Sequence, residues 1–203
     1  MRQRILSRLQ HFLLVSACIV ILMLACSKQK TAPKDNIQLM MSSFFHVSGK
    51  SSSAIDGIWI VEAASLAAMI EKKYLSSYVA KPDEMKSSQI RERLKSLNVF
   101  FRIEATSLSM LSIVSDSFGV SSGSLKLRTR ASPAERIYDA MMQGRQGSTS
   151  KAVLRIHKVD GVERLEYREN DMVLTAVREK RPAAELISRF SQQITSGTGL
   201  AQY

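Results

Sequence analysis

Cysteine is nearly absent from these 203 residues: there are two, beside three histidines, one tryptophan and four prolines. Two cysteines cannot staple a disulfide scaffold, and three scattered histidines form no spaced ligand set for a metal. No acidic residue occurs before Asp35, yet the chain as a whole has 29 Lys+Arg against 18 Asp+Glu, a formal net charge of +11. Hydrophobic residues make up 45% of it. That is ordinary for a folded body and excludes both wholesale disorder and a multi-span membrane protein. Aromatic residues, at 6%, are too sparse for a base-stacking platform, so nucleic acid is not an expected partner.

What is present begins at the N-terminus. Arg2, Arg4 and Arg8 precede the apolar stretch Phe12–Ala25, and the chain turns polar at Ser27–Lys30. A basic flank followed by roughly 14 apolar residues describes an export signal and falls short of the ~20 that a spanning helix needs. The basic flank stays cytoplasmic, so the remainder is expected to be exported.

The stretch ends in Leu22-Met23-Leu24-Ala25-Cys26-Ser27, which resembles the bacterial lipobox. The resemblance implies cleavage before Cys26 and lipidation of that cysteine. Each buried methylene of the acyl chains then contributes ~0.8 kcal/mol to anchoring. Ser27 implies sorting to the outer membrane, facing the periplasm of the bacterial cell envelope. Met23 and Leu24 depart from the lipobox pattern. Val15-Ser16-Ala17-Cys18 matches it locally but leaves only Phe12–Val15 as an apolar core. The other reading is a retained anchor starting near Ile5 or Leu9, which makes a single-pass protein with an exported domain. The expected organisation is a signal peptide over 1–25, a flexible Ser/Lys/Gln-rich tether over 26–54, one domain over 55–197 and a disordered tail over 198–203.

The body opens with Asp56-Gly57-Ile58-Trp59-Ile60-Val61. Gly57 and Trp59 resemble the G-x-W signature of the lipocalin-like family. The resemblance implies a tryptophan closing one end of a small β-barrel, with a late arginine, here Arg178, stacked across the indole. Helical spacing follows at once: Leu66, Met69, Ile70, Tyr74 and Tyr78 share a face, Pro82 breaks the run, and a second helix over 83–98 aligns Met85, Ile90, Leu94 and Leu97. True lipocalins lack this pair, so the resemblance extends to the strand pattern only.

After Asn98 the period becomes two. Phe101 and Ile103 alternate with Arg102 and Glu104, and Leu108–Val114 follows. The stretch Ser115–Ser124 has turn composition, and then Leu125 and Leu127 alternate with Lys126, Arg128 and Arg130. A short amphipathic helix is expected over 133–143. Ala152–Lys158, Glu163–Glu169 and Met172–Glu179, joined through Asp160-Gly161 and Asn170-Asp171, read as a three-stranded meander. Pro182 starts a last helix with Leu186, Ile187, Phe190 and Ile194 on one stripe. The fold class is α+β: an antiparallel meander or curled sheet of six or seven strands, with helices inserted after the first strand and at the C-terminus.

No catalytic residue, no metal and no cofactor is expected from the motifs present. Gly119-Val120-Ser121-Ser122-Gly123 satisfies G-x-S-x-G, but a nucleophile elbow needs a helix directly after it, and a strand is expected there. Ser148 and Lys151 fit S-x-x-K with the same defect, and His46 and His157 lack spaced partners. Lys126, Arg128 and Arg130, extended across neighbouring strands by Arg155, Arg164 and Arg168, are the candidate surface for an anionic lipid or an acidic envelope protein. Glu163, Glu166 and Glu169 are placed to neutralise part of that surface.

The expected function is a non-enzymatic binding or structural role at the envelope, with the membrane reached through the lipid. The alternative is a lipocalin-like carrier of a small apolar ligand. An interior cavity lined by Phe101, Ile103, Leu154 and Leu165 supports the carrier; a filled core opposes it.

Overall fold

Alternating residues that face inward on every strand, joined by tight turns, allow the sheet to curl until its first and last strands meet. The structure, a computed structural model, describes residues 34–47, 54–70, 72, 96–114, 117–132, 135–143 and 148–196. Its strands are β1 (Gly57–Val61), β2 (Asn98–Glu104), β3 (Ser107–Val114), β4 (Ser117–Ser132), β5 (Glu135–Gln143), β6 (Thr149–Val159), β7 (Val162–Glu169) and β8 (Met172–Arg178). Each pairs antiparallel with the next, and β1 pairs with β8, so the eight form one closed barrel. Three helices accompany them: α1 (Lys34–Phe45), α2 (Ala63–Ile70) and α3 (Ala183–Ser196). Among the described residues, no helix is long and apolar enough to cross a membrane.

Turn chemistry fixes the meander. Asp160 and Gly161 both have positive φ, 52° and 79°, as a two-residue hairpin matching the strand twist requires. Asn170 takes φ 51° in the next turn, and Ala105 takes φ 54° between β2 and β3. The meander over β6–β8 and the last helix lie where the sequence places them.

Several expectations are corrected. The sheet has eight strands rather than six or seven, and it closes. Residues 135–143 form β5, not a helix. A short stretch with Tyr138 and Met142 four apart suits either period. Ladders to β4 and β6 on both sides select the extended one, with Tyr138, Ala140 and Met142 inward. The turn-like stretch from Ser117 is the upper half of β4, paired residue by residue with β3. Helix α1 occupies much of the span expected to be a flexible tether. The expected signal segment with Cys26, most of the second helix expected over 83–98 and the tail expected over 198–203 lie outside the described residues.

Two apolar cores result. The inner one fills the barrel with Trp59, Phe101, Ile103, Leu108, Leu154, Leu165 and Tyr167, among others, and α2 adds Leu66. The outer one lies between β1–β3 and the helices. There Ile58, Phe100, Leu111 and Ile113 meet Ile37, Met41, Phe44 and Phe45 of α1 and Leu186, Phe190 and Ile194 of α3. The rings of Phe45 and Phe190 both stand 5.2 Å from Phe100. Strand β2 is therefore buried on both faces, which is why Val99-Phe100-Phe101 breaks alternation.

Candidate functional site

The best-defined constellation closes one end of the barrel. Trp59 is buried on β1, and its Nε1–H donates to the carbonyl of Ile55 at 3.2 Å. Arg178, its register partner on β8, lies over the indole with Cζ 4.6 Å from the ring centroid. Arg178 also donates to the carbonyls of Asp56 at 2.7 Å and Ala54 at 2.6 Å, and reaches the Glu163 carboxylate at 3.3 Å. Gly57 makes room for this: a Cβ there would stand 2.8 Å from Arg178 Nη1, and its φ of 141° is open to glycine alone. Asp56 Oδ1 accepts from the Ala105 N–H at 3.0 Å, tying the β2–β3 turn to the same end. Every group here is held by structural bonds, so the arrangement is a plug.

At the level of the plug the interior is apolar and packed, with Phe101 the register partner of Trp59 and Ile103 that of Gly57. Phe101, Ile103, Leu154 and Leu165 have no surface that water can reach, so the barrel is filled at their level. Phe101 and Tyr167 face each other at 5.1 Å. The Tyr167 hydroxyl donates to Glu169 at 2.6 Å; burial, then this bond and the carboxylate's charge, push its ionisation far above the ordinary tyrosine value. The inner wall is softer elsewhere. Ala140 and Ala152 face each other in register on β5 and β6, and Met69, Met110 and Met172 pack partly buried against the core.

The basic residues of the outer wall are shared among acids. Arg128 lies 3.9 Å from Asp139, which is also the register partner of Lys126. Arg155 bonds Glu135, Arg168 bonds Glu166 at 2.9 Å, and Arg164 holds both oxygens of Glu62 at 2.8 and 3.1 Å. Arg130 lies on β4, its side chain outside what is described. Exposed pairs of this kind contribute ~0–1 kcal/mol each, and they neutralise part of the surface, Lys126 and Arg128 having Asp139 between them. Of these acids the sequence reading named only Glu166. Asp139, Glu135 and Glu62 become visible only once the register is known.

Ser121 sits within β4, in register with Met110. Among the described residues it makes no hydrogen bond to a histidine. Gly123 of the same motif has a packing reason, since a Cβ there would stand 2.4 Å from the Met141 carbonyl oxygen and 2.8 Å from Met142 Sδ. Ser148 and Lys151 likewise lead into β6, not a helix. No group of three His, Cys, Asp or Glu that could hold a metal occurs among the described residues.

A groove of about 680 Å³ runs between α1 and α3, lined by Gln38, Leu39, Ser42, Ala184, Ile187 and Ser188 among others. The sequence reading missed it with α1, although Ile37, Met41, Phe44 and Phe45 carry helical spacing.

No family model matches the chain, and no curated protein matches it. Among solved structures it is similar to one described as a REP1-NXSQ fatty acid transporter, at 14% identity and a TM-score of 0.29, covering 63% of this chain and 98% of that one. A likeness of that size carries no argument about ligand or activity.

Proposed function

We propose that this chain is a lipid-anchored protein of the bacterial cell envelope, acylated at Cys26, whose barrel is a rigid body with a non-enzymatic binding role on its outer surface. One observation supports placing the binding outside: Phe101, Ile103, Leu154 and Leu165, the residues expected to line a carrier's cavity, are wholly buried in a packed core. The basic signal flank, the apolar stretch and Ala25-Cys26 support the anchor. Labelling cells with a radioactive fatty acid tests it. Wild type and Cys18→Ala take up label, and Cys26→Ala does not. A labelled Cys26→Ala overturns the lipidation, and an unlabelled wild type retained in the membrane favours the single-pass anchor.

The carrier is the second reading. It is favoured by the facing pair Ala140 and Ala152 and by the deformable Met69, Met110 and Met172 at the inner wall. Titration with a fluorescent fatty acid, read as quenching of Trp59, decides it. Saturable binding with a one-to-one endpoint establishes the carrier, and none removes it.

A further inference from the structure

Strand β4 is sixteen residues long and outruns both neighbours. β3 pairs with Ser117–Ser124, whereas β5 pairs with Ser122–Ser132. Residues 117–121 therefore have a strand on the β3 side only, and the lower part of β4 has one on the β5 side only. Among the described residues, no strand covers either remaining edge.

The two edges are treated differently. The lower one carries Lys126 and Arg128 and shows two register shifts against β5, after Leu127 and after Thr129. Charge and bulges are the devices that hinder an incoming strand. The upper edge, Ser117-Phe118-Gly119-Val120-Ser121, has no charge and no proline, and it pairs with β3 without a shift. Val120 on it is 50% exposed. A regular, uncharged edge with an exposed apolar residue is a template for another strand.

We propose that this edge pairs with the same edge of a second copy of the chain, β4 antiparallel to β4, about a two-fold axis at Gly119. The sequence is self-complementary in that register. Ser117 stands opposite the second copy's Ser121, Gly119 opposite its own equivalent, and Phe118 opposite the second copy's Val120. Phe118 and Val120 lie on the outer face, where their β3 partners Ile113 and Leu111 belong to the outer core. The pairing sets an aromatic ring against a β-branched side chain twice, the favoured kind of cross-strand pair. It also extends the outer core across the interface. An edge without charge selects neither an acidic nor a basic peptide, and its symmetry gives the closed, isologous contact of a two-fold dimer.

Site-directed crosslinking of the full chain in oxidant-treated lysates tests this, read on a non-reducing gel. Gly119→Cys, which meets itself across the axis, is expected to give a disulfide-linked dimer in at least tenfold higher yield than wild type or Lys126→Cys on the hindered edge. Adding Val120→Lys to Gly119→Cys is expected to cut that yield at least tenfold, with Trp59 emission showing that the barrel is intact. No dimer from Gly119→Cys, or a yield equal to that of Lys126→Cys, overturns the proposal whether or not the lysine variant folds. So does a folded Val120→Lys variant that crosslinks undiminished.

Discussion

Arg178 lies across the indole of Trp59, its guanidinium carbon 4.6 Å from the ring centroid, on the seam where the last strand closes onto the first. The guanidinium also bonds the carbonyls of Ala54 and Asp56, so one side chain joins both ends of the sheet and the chain entering it. Gly57 is the third member, since any side chain there meets Arg178 Nη1.

Gly57→Ala should therefore destabilise the barrel by about 1–3 kcal/mol, through backbone strain and displacement of the guanidinium. Arg178→Ala should cost a similar amount, and Arg178→Lys should not rescue it, because an ammonium lacks the planar fork. Urea unfolding followed by Trp59 emission measures all three. Trp59 is the only tryptophan, so its emission reports this end alone.

Ala105 holds φ 54°, a conformation that L-residues with a Cβ adopt at a cost. Ala105→Gly should stabilise the protein by about 0.5–1 kcal/mol, since glycine takes this region freely. A rise in the thermal midpoint without a change in Trp59 emission is the expected result.

Stability should fall at both pH extremes for identifiable reasons. Burial alone would raise the Glu179 carboxyl, but bonds from the Arg181 side chain and N–H, the Arg181 charge and the Lys180 N–H carry it below its ordinary 4.5. Its stabilisation is present above the unfolded value and is lost as the pH falls through the lower folded one. Glu179→Gln should flatten the acid limb of a melting-point profile.

Tyr167 works in the opposite direction, its folded value being raised above 10.0. The stabilisation is complete below that pH and is lost above it, because only the unfolded tyrosine ionises there. Tyr167→Phe should flatten the alkaline limb above about pH 10, where the unfolded tyrosine ionises.

Phe45 sits against Phe44, Phe100 and Phe190, and 2% of it is exposed. Phe45→Ala should cost about 3–5 kcal/mol, the range for an aromatic removed from a packed core. Such a loss in urea unfolding shows that α1 belongs to the folded body. A loss below 1 kcal/mol means that it is an appendage.

The G-x-W resemblance led to Arg178 because both halves of that contact are local signals: a glycine two residues before a tryptophan, and a late arginine ending a strand. The β6–β8 meander was legible because Asp160-Gly161 and Asn170-Asp171 sit between alternating runs. Strand β5 was not. Glu135–Gln143 satisfies two periods at once, and only neighbours on both sides distinguish them. The basic wall was legible as residues but not as a surface, since Asp139, Glu135 and Glu62 join it through pairings that no local rule supplies.

Composition and local pattern alone determined that the chain is a basic, thiol-poor, mostly antiparallel body behind an apolar N-terminal stretch. They also placed Phe101, Ile103, Leu154 and Leu165 inward on β2, β6 and β7, because alternation is a property of the strand itself. The tertiary structure decided that the sheet closes, that the interior at Phe101 and Leu154 is filled, and that α1 is part of the core. It also decided that the two overhanging edges of β4 differ. Each of these depends on which residues, distant along the chain, lie opposite one another. Register, set by the packing of the whole barrel, is the quantity that a single sequence does not carry.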